Sequence, residues 1–138
     1  MRLLITDPAA VIADHADVTS LRAEDESGSF GILSGHADLL TVLTVSVVAW
    51  RHADGKAGYC AVRRGVLSVR DGNQISIATR EAQRGDDLDA LEASVLVRFR
   101  ADADAERAGR VAATRLHTEA IRRIVEALRP ERQTGFGA

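Results

Sequence analysis

Four histidines, one cysteine and a knot of acids are the residues of this chain with the chemistry to react or to hold a metal. His15, His36, His52 and His117 stand far apart and lack the short spacings that place two ligands on one metal ion. Each reads as a solvated or locally hydrogen-bonded ring. Cys60 falls in the strand-like run Tyr59-Cys60-Ala61-Val62-Arg63, where a lone thiol behaves as a small buried hydrophobe. A single cysteine cannot form an internal disulfide and fits a reducing compartment. Asp86, Asp87 and Asp89 cluster where a helix should begin, and carboxylates there cap free N–H groups and oppose the positive end of the helix dipole. Helix capping accounts for them without a metal. The chain holds no phosphate-binding G-x-x-x-x-G-K-[ST] loop, no G-x-S-x-G elbow and no C-x-x-C pair. The expectation is a protein without a catalytic constellation, a metal or a cofactor. One segment resists a purely structural reading: Gly28-Ser29-Phe30-Gly31-Ile32-Leu33-Ser34-Gly35-His36-Ala37-Asp38-Leu39-Leu40-Thr41-Val42-Leu43, where glycines and a histidine precede an apolar run.

Composition narrows the classes further. The 138 residues carry 18 basic and 20 acidic side chains, a formal charge of −2, and Lys56 is the sole lysine. A nucleic-acid binder concentrates basic charge on one face, and this balance argues against one. Apolar residues make up 46% of the chain while aromatics make up only 4%, so the core is built from Val, Leu, Ile and Ala. No uncharged run approaches the roughly 20 residues that span a bilayer, and the N-terminus lacks a long apolar signal core. Any membrane association must come through partners rather than direct insertion.

The elements change grammar near Asp86. Before it, glycines (28, 31, 35, 55, 58, 65, 72 and 85) punctuate short runs; between Asp87 and Arg129 only Gly109 remains. Val66-Leu67-Ser68-Val69-Arg70 and Gln74-Ile75-Ser76-Ile77-Ala78 flank Asp71-Gly72-Asn73 and predict a hairpin. With Arg2 to Thr6, Val18 to Ala23, Val45 to Trp50 and Tyr59 to Arg63, the chain offers seven or more strands spaced as in an all-β sandwich or barrel. Val45 to Trp50 suits a strand buried on both faces. After Asp86, Leu88, Leu91, Val95 and Phe99 form one helical stripe. Ala108, Ala112, Leu116, Ala120, Ile124 and Leu128 recur every four residues, widened by Val111, Ile121 and Val125. Asp102 and Asp104 mark an interruption, so two antiparallel helices are expected over 87–129. Pro130 stops the second, and 130–138 form a flexible tail.

The glycine–histidine segment resembles that of the epsilon subunit of F-type rotary ATP synthases. The family pattern G-x-x-G-(I/V)-x-x-G-H-x-P-L-L-T-x-L is matched by Gly28, Gly31, Ile32, Gly35, His36, Leu39, Leu40, Thr41 and Leu43. Its later strands are matched by Gly65-Val66-Leu67-Ser68-Val69 and Ile75-Ser76-Ile77-Ala78, and its closing element by Ala82 and Asp87-Leu88-Asp89. The resemblance implies an α+β chain: an antiparallel β-sandwich of about ten strands over 1–86, then a two-helix hairpin. It implies a non-catalytic subunit of the central stalk that binds the gamma subunit, rests on the ring of c subunits and turns with it. It also implies a peripheral position on the cytoplasmic face of a bacterial membrane, and a hairpin able to brake ATP hydrolysis at the alpha/beta catalytic head. The residues implied to face ring and gamma are Gly28, Ser29, Gly31, Gly35, His36, Asp38, Leu39 and Leu40, with Asp25 and Glu26 beside them.

Departures from the pattern carry consequences. Ser34 and Asp38 replace family prolines, Ser29 replaces a commonly acidic residue, and Arg64 replaces one glycine of a pair. The family's ATP motif (I/L)-D-x-x-R-A is degenerate: Leu88, Asp89 and Ala93 fit, but Glu92 stands where the arginine should be. A carboxylate cannot give a phosphate the charged hydrogen bonds of a guanidinium, so weak or no ATP binding is expected. The apolar Val95-Leu96-Val97-Arg98-Phe99 suggests a divergent branch, the alternative N-type ATPases. The competing reading is a free-standing regulatory or ligand-binding β-sandwich adaptor, which an apolar groove with convergent polar groups would favour.

Overall fold

The computed structural model describes residues 1–128; the expected tail lies outside the described residues. Eight strands come first: β1 (Arg2–Thr6), β2 (Val11–His15), β3 (Val18–Asp25), β4 (Gly28–Leu33), β5 (Leu39–Leu43), β6 (Ser46–His52), β7 (Ala57–Arg70) and β8 (Gln74–Gly85). A short helix α1 (Leu88–Ala90), a π-helical stretch (Leu91–Leu96) and helix α2 (Val97–Leu128) follow without a break. The chain divides into two compact units, Met1–Ala103 and the part from Asp104 onward.

Strand alternation builds the sandwich. In β8, Ile75, Ile77 and Thr79 turn inward while Gln74, Ser76 and Ala78 face out, the period of two that one buried face demands. Sixteen buried residues, among them Leu3, Ile5, Leu21, Ile32, Val48, Trp50, Leu67 and Ile77, form the core between the layers. The hydrogen-bonded order is β2-β1-β8-β7-β5-β3-β4, with β6 joining β3 and β7. The 14-residue β7 serves both layers, pairing with β6 over Ala57–Val62 and with β5 over Gly65–Val69. The change of partner falls at Arg63–Gly65, where Arg64 takes φ 56, in the left-handed region. The family glycine missing at this position would adopt that conformation without the Cβ clash that Arg64 must bear.

Three expectations need correction. The sandwich has about eight strands rather than ten, because Tyr59–Arg63 and Val66–Arg70 are one strand and β8 runs on to Gly85. It is not wholly antiparallel: β1 pairs with β8 in parallel, Leu3 beside Ile75 and Ile5 beside Ile77. The crossover a parallel pair requires is here the six intervening strands instead of a helix.

The two-helix hairpin over 87–129 is likewise replaced by one helix running through Asp102 and Asp104 to Leu128. Neither aspartate breaks it, since an interior Asp costs only about 0.7 kcal/mol against alanine and no Gly or Pro stands nearby.

The helix start is capped as expected, Asp87 accepting from the Asp89 N–H at 3.0 Å. From there Leu91, Val95 and Phe99 pack on Ala61, with Val45, Val47 and Tyr59 closing around them. Thus β6 is covered on both faces, Val48 and Trp50 by the sandwich core and Val47 by the helix. This packing accounts for Val95 and Phe99 of the apolar run, while Val97 faces outward.

Candidate docking site

The segment from Gly28 to Leu40 divides into two corners at opposite ends of β4. At the first, the β3–β4 turn is tied by Asp25, whose Oδ1 accepts from the Ser27 N–H at 2.9 Å and from the Ser27 hydroxyl. Its Oδ2 accepts from the Thr41 hydroxyl at 2.8 Å, which anchors the turn to β5. These hydrogen bonds, from Ser27 first and Thr41 next, hold the Asp25 carboxyl below its ordinary range. Asp25 is therefore committed to the fold, while Glu26 and Ser29 remain exposed.

The second corner joins the β4–β5 connection to the β7–β8 turn. Gly35, at φ 87, donates its N–H to the Gly72 carbonyl at 2.8 Å. A Cβ on Gly72 would lie 2.9 Å from the Gly35 Cα, so the two backbones approach this closely because residue 72 is glycine. Asp38 Oδ1 accepts from the Asp71 N–H at 3.1 Å, a second stitch between the loops. His36 is half-exposed; its N–H donates to the Leu33 carbonyl and its Nδ1 lies 2.6 Å from the Ala37 carbonyl. Asp38, Leu39 and Leu40 line a shallow groove with Ser68, Val69, Arg70 and Asp71.

Between the corners runs an apolar row of which the sequence analysis singled out only Leu40. Leu40 is 73% exposed, Val42 62% and Val66 43%, and Val42 lies directly across from Val66 on neighbouring strands. Leu33 is as open, at 63%. The signal was present in the alternation of β5, where Leu43 is buried and Val42, its neighbour, must face outward. Apolar side chains collected on one outer surface mark a contact area.

The degenerate motif residues divide as well. Leu88 and Glu92 line a second groove with Ser29, Arg22, Glu24 and Arg100, whereas Asp89 and Ala93 are exposed and outside it. Two guanidiniums and two carboxylates face that groove, a balanced set that offers a polyphosphate no net attraction. Ser29, expected among the ring-facing residues, thus shares a surface with the helix start.

The remaining candidates for chemistry stay apart. Cys60 is buried, and burial pushes its thiol up to about 11, which keeps it protonated and inert. Among the described residues no group of three or more His, Cys, Asp or Glu is placed to hold a metal ion. No helix of the described residues is long and apolar enough to cross a membrane. What the surface offers is stitched loops, an exposed apolar row and a rigid sandwich behind them.

Comparison with known proteins identifies the class. The family model for the ATP synthase delta/epsilon chain, beta-sandwich domain, matches residues 1–85. An ATP synthase epsilon chain 2 of Paraburkholderia xenovorans is 46% identical over 132 residues, spanning 96% of this chain and 95% of its own length. Another, of Cereibacter sphaeroides, is 41% identical over 128 residues, spanning 93% and 88%. A chain of the Euglena gracilis mitochondrial ATP synthase structure shares the fold at a TM-score of 0.57 and 23% identity, over 59% of this chain and 51% of that one. One from the Tetrahymena thermophila central stalk and c-ring structure does so at 0.53 and 17%, over 60% and 65%. The chain belongs to the ATP synthase delta/epsilon family, among its epsilon chains, and is a non-catalytic subunit of the complex.

Proposed function

We propose that this chain is the rotor subunit that joins the gamma subunit to the c ring, peripheral to the cytoplasmic face of a bacterial membrane. The sandwich, 1–86, carries both contacts. The observation that supports this reading is the open row Leu40, Val42 and Val66 set against the stitched Gly35–Gly72 corner. A part that transmits torque needs a stiff contact, and close-packed layers supply stiffness. The corner residues Gly28, Ser29, Gly31, Gly35, His36, Asp38, Leu39 and Leu40 face the ring or gamma in this reading, and Val42 and Val66, the rest of the apolar row, are covered by gamma. Co-expression with the gamma subunit of the same organism tests it: a complex stable to gel filtration is expected, and it should be lost in Val42→Asp. Separate elution of the unmodified chain at micromolar concentration would overturn the reading in favour of a free-standing adaptor.

Within the same proposal the helix beyond Asp104 acts on the alpha/beta catalytic head. Arg115, Arg122 and Arg123 are exposed on it and present charge to acidic surfaces. Removing residues 104–138 leaves the helix start packed on the sandwich, so assembly should survive while ATP hydrolysis by the whole complex rises. Unchanged hydrolysis would show that the helix is no brake. For the nucleotide, Glu92 and Glu24 in the groove with Arg22 and Arg100 support weak or absent ATP binding by this subunit.

A further inference from the structure

Away from both corners, the start of β7 and the ends of β2 and β6 carry a cluster of ionisable groups that docking does not use. Trp50, the one tryptophan of the chain, is 2% exposed and lies flat on Gly58, where a Cβ would come within 2.3 Å of its ring. Its indole N–H donates to His52 Nε2 at 3.1 Å. That bond fixes the tautomer of His52, because a nitrogen that accepts carries no proton. The proton must then sit on Nδ1, which donates to Asp17 Oδ1 at 2.8 Å. Asp17 also gives its carbonyl to the Ala53 N–H at 2.9 Å, so the β2–β3 turn is fastened to the end of β6 through one neutral imidazole. Beside it, His15 meets the His52 ring edge-on at 4.7 Å between centroids, and its Nε2 is buried with no hydrogen-bond partner among the described residues.

The charged surroundings are mixed. Asp17 faces His52 from the β2–β3 turn; Asp14 and Asp17 act on His15 from its own side. Arg84 of β8 stands over the Trp50 ring at 5.8 Å and repels a proton on His15. β7 presents Gly58 to the indole, and β3 pairs Val18 with His52.

We propose that Trp50, His52 and Asp17 form a proton-operated latch, in which protonation of His52 Nε2 releases the Trp50 indole. A proton on that nitrogen turns the acceptor into a donor facing another donor, and the two must part. The Nδ1–H bond to Asp17 survives and becomes a charged pair, so the imidazolium stays with the turn while the indole loses its partner. Histidine is the side chain that changes charge between about pH 5 and 8, so mild acidification is the trigger. This device does not depend on the docking reading.

The lone tryptophan reports on the latch directly. Emission of the full chain, followed from about pH 8 to 5, should show one sigmoidal loss of intensity with unchanged far-UV circular dichroism. In His52→Gln the side-chain oxygen still accepts from Trp50 and the amide still donates to Asp17, but position 52 no longer titrates. His15 also lies beside the indole, 5.9 Å between ring centroids, so the comparison is made in a His15→Gln background: the transition should remain in His15→Gln and vanish when His52→Gln is added. A flat wild-type profile, or a transition that persists in the double variant, would overturn the proposal. Should that variant not fold, nitrogen NMR of the wild-type rings decides. Protonation of His52 Nε2 must coincide with the shift of the Trp50 indole N–H, and independent midpoints would overturn the latch.

Discussion

Leu91, Val95, Phe99 and Ala103 recur every four residues, and so do Ala108, Ala112, Leu116, Ala120, Ile124 and Leu128. The first four are buried, Phe99 completely, while Leu116 is 67% exposed, Ile124 58% and Leu128 75%. Spacing alone does not decide burial. In an α-helix each residue turns about 100°, so a step of four overshoots a full turn by about 40°. Five such steps, from Ala108 to Leu128, wind the apolar residues about 200° around the helix, and no straight partner can cover them. The earlier set escapes because Leu91–Leu96 is π-helical, and its wider turn takes up the overshoot. The π stretch is what lets one helix keep a single face on the sandwich for three turns.

The sharpest test of the difference is Phe99→Ala. Its ring is fully buried against Ala61, Leu91 and Val95, with the Arg98 guanidinium 5.0 Å from its centroid. Truncation should cost about 3–5 kcal/mol, read as a lower urea midpoint followed by Trp50 emission. A loss below 1 kcal/mol would mean the helix start is no more anchored than the part beyond Asp104.

Backbone conformations give the next effects. Gly72→Ala places a methyl 2.9 Å from the Gly35 Cα at φ 68, so a loss of about 1–3 kcal/mol is expected. The co-expressed complex with gamma, if the corner faces the ring instead, should form normally in that variant. Arg64→Gly has the opposite sign. It relieves the left-handed strain of about 1–2 kcal/mol and adds chain entropy to the unfolded state, leaving a gain of about 0.5–1 kcal/mol. A destabilised Arg64→Gly would show that the arginine side chain earns its place there by contacts.

The acid response of the first corner follows from Asp25. Its folded pKa is depressed by the Ser27 and Thr41 hydrogen bonds, so its contribution is present above the unfolded value near 3.9 and is lost as pH falls through the folded one. Thr41→Val removes one of the two partners and should raise the Asp25 carboxyl, read by its carbon NMR shift, and flatten the stability profile below about pH 4. An unmoved Asp25 would leave Ser27 as its sole effective partner.

How much of this was legible in the sequence depends on what each signal measures. Local signals held: the Asp71-Gly72 hairpin, the Asp87 cap and the β6 strand covered on both faces all follow from residues within a few positions. Counting runs failed at Arg64, where a strand continues through a conformation that composition would read as a break. The hairpin failed because Asp102 and Asp104 are weak helix breakers, and capping residues act as caps only where the chain already turns. The glycine–histidine segment stands out in the sequence, but the Leu40–Val42–Val66 row depends on pairing between β5 and β7, which no local pattern contains. Nothing in the spacing of His15, His52 and Trp50 announced that the ends of β2 and β6 would bring them together.

Leu116→Ala is the counterpart of Phe99→Ala and carries the smallest effect in the chain alone. The side chain is 67% exposed, so truncation removes little buried surface, and alanine slightly improves helix propensity. Stability of the isolated chain should stay within about 0.5 kcal/mol of wild type. In the assembled complex the outcome separates two roles for the helix. If its apolar residues engage the catalytic head, Leu116→Ala should raise ATP hydrolysis in the direction of the 104–138 deletion while assembly is unaffected. If hydrolysis rises on deletion but not in Leu116→Ala, the contact is carried by Arg115, Arg122 and Arg123, and its strength should then fall with added salt, as charge pairing at a surface does.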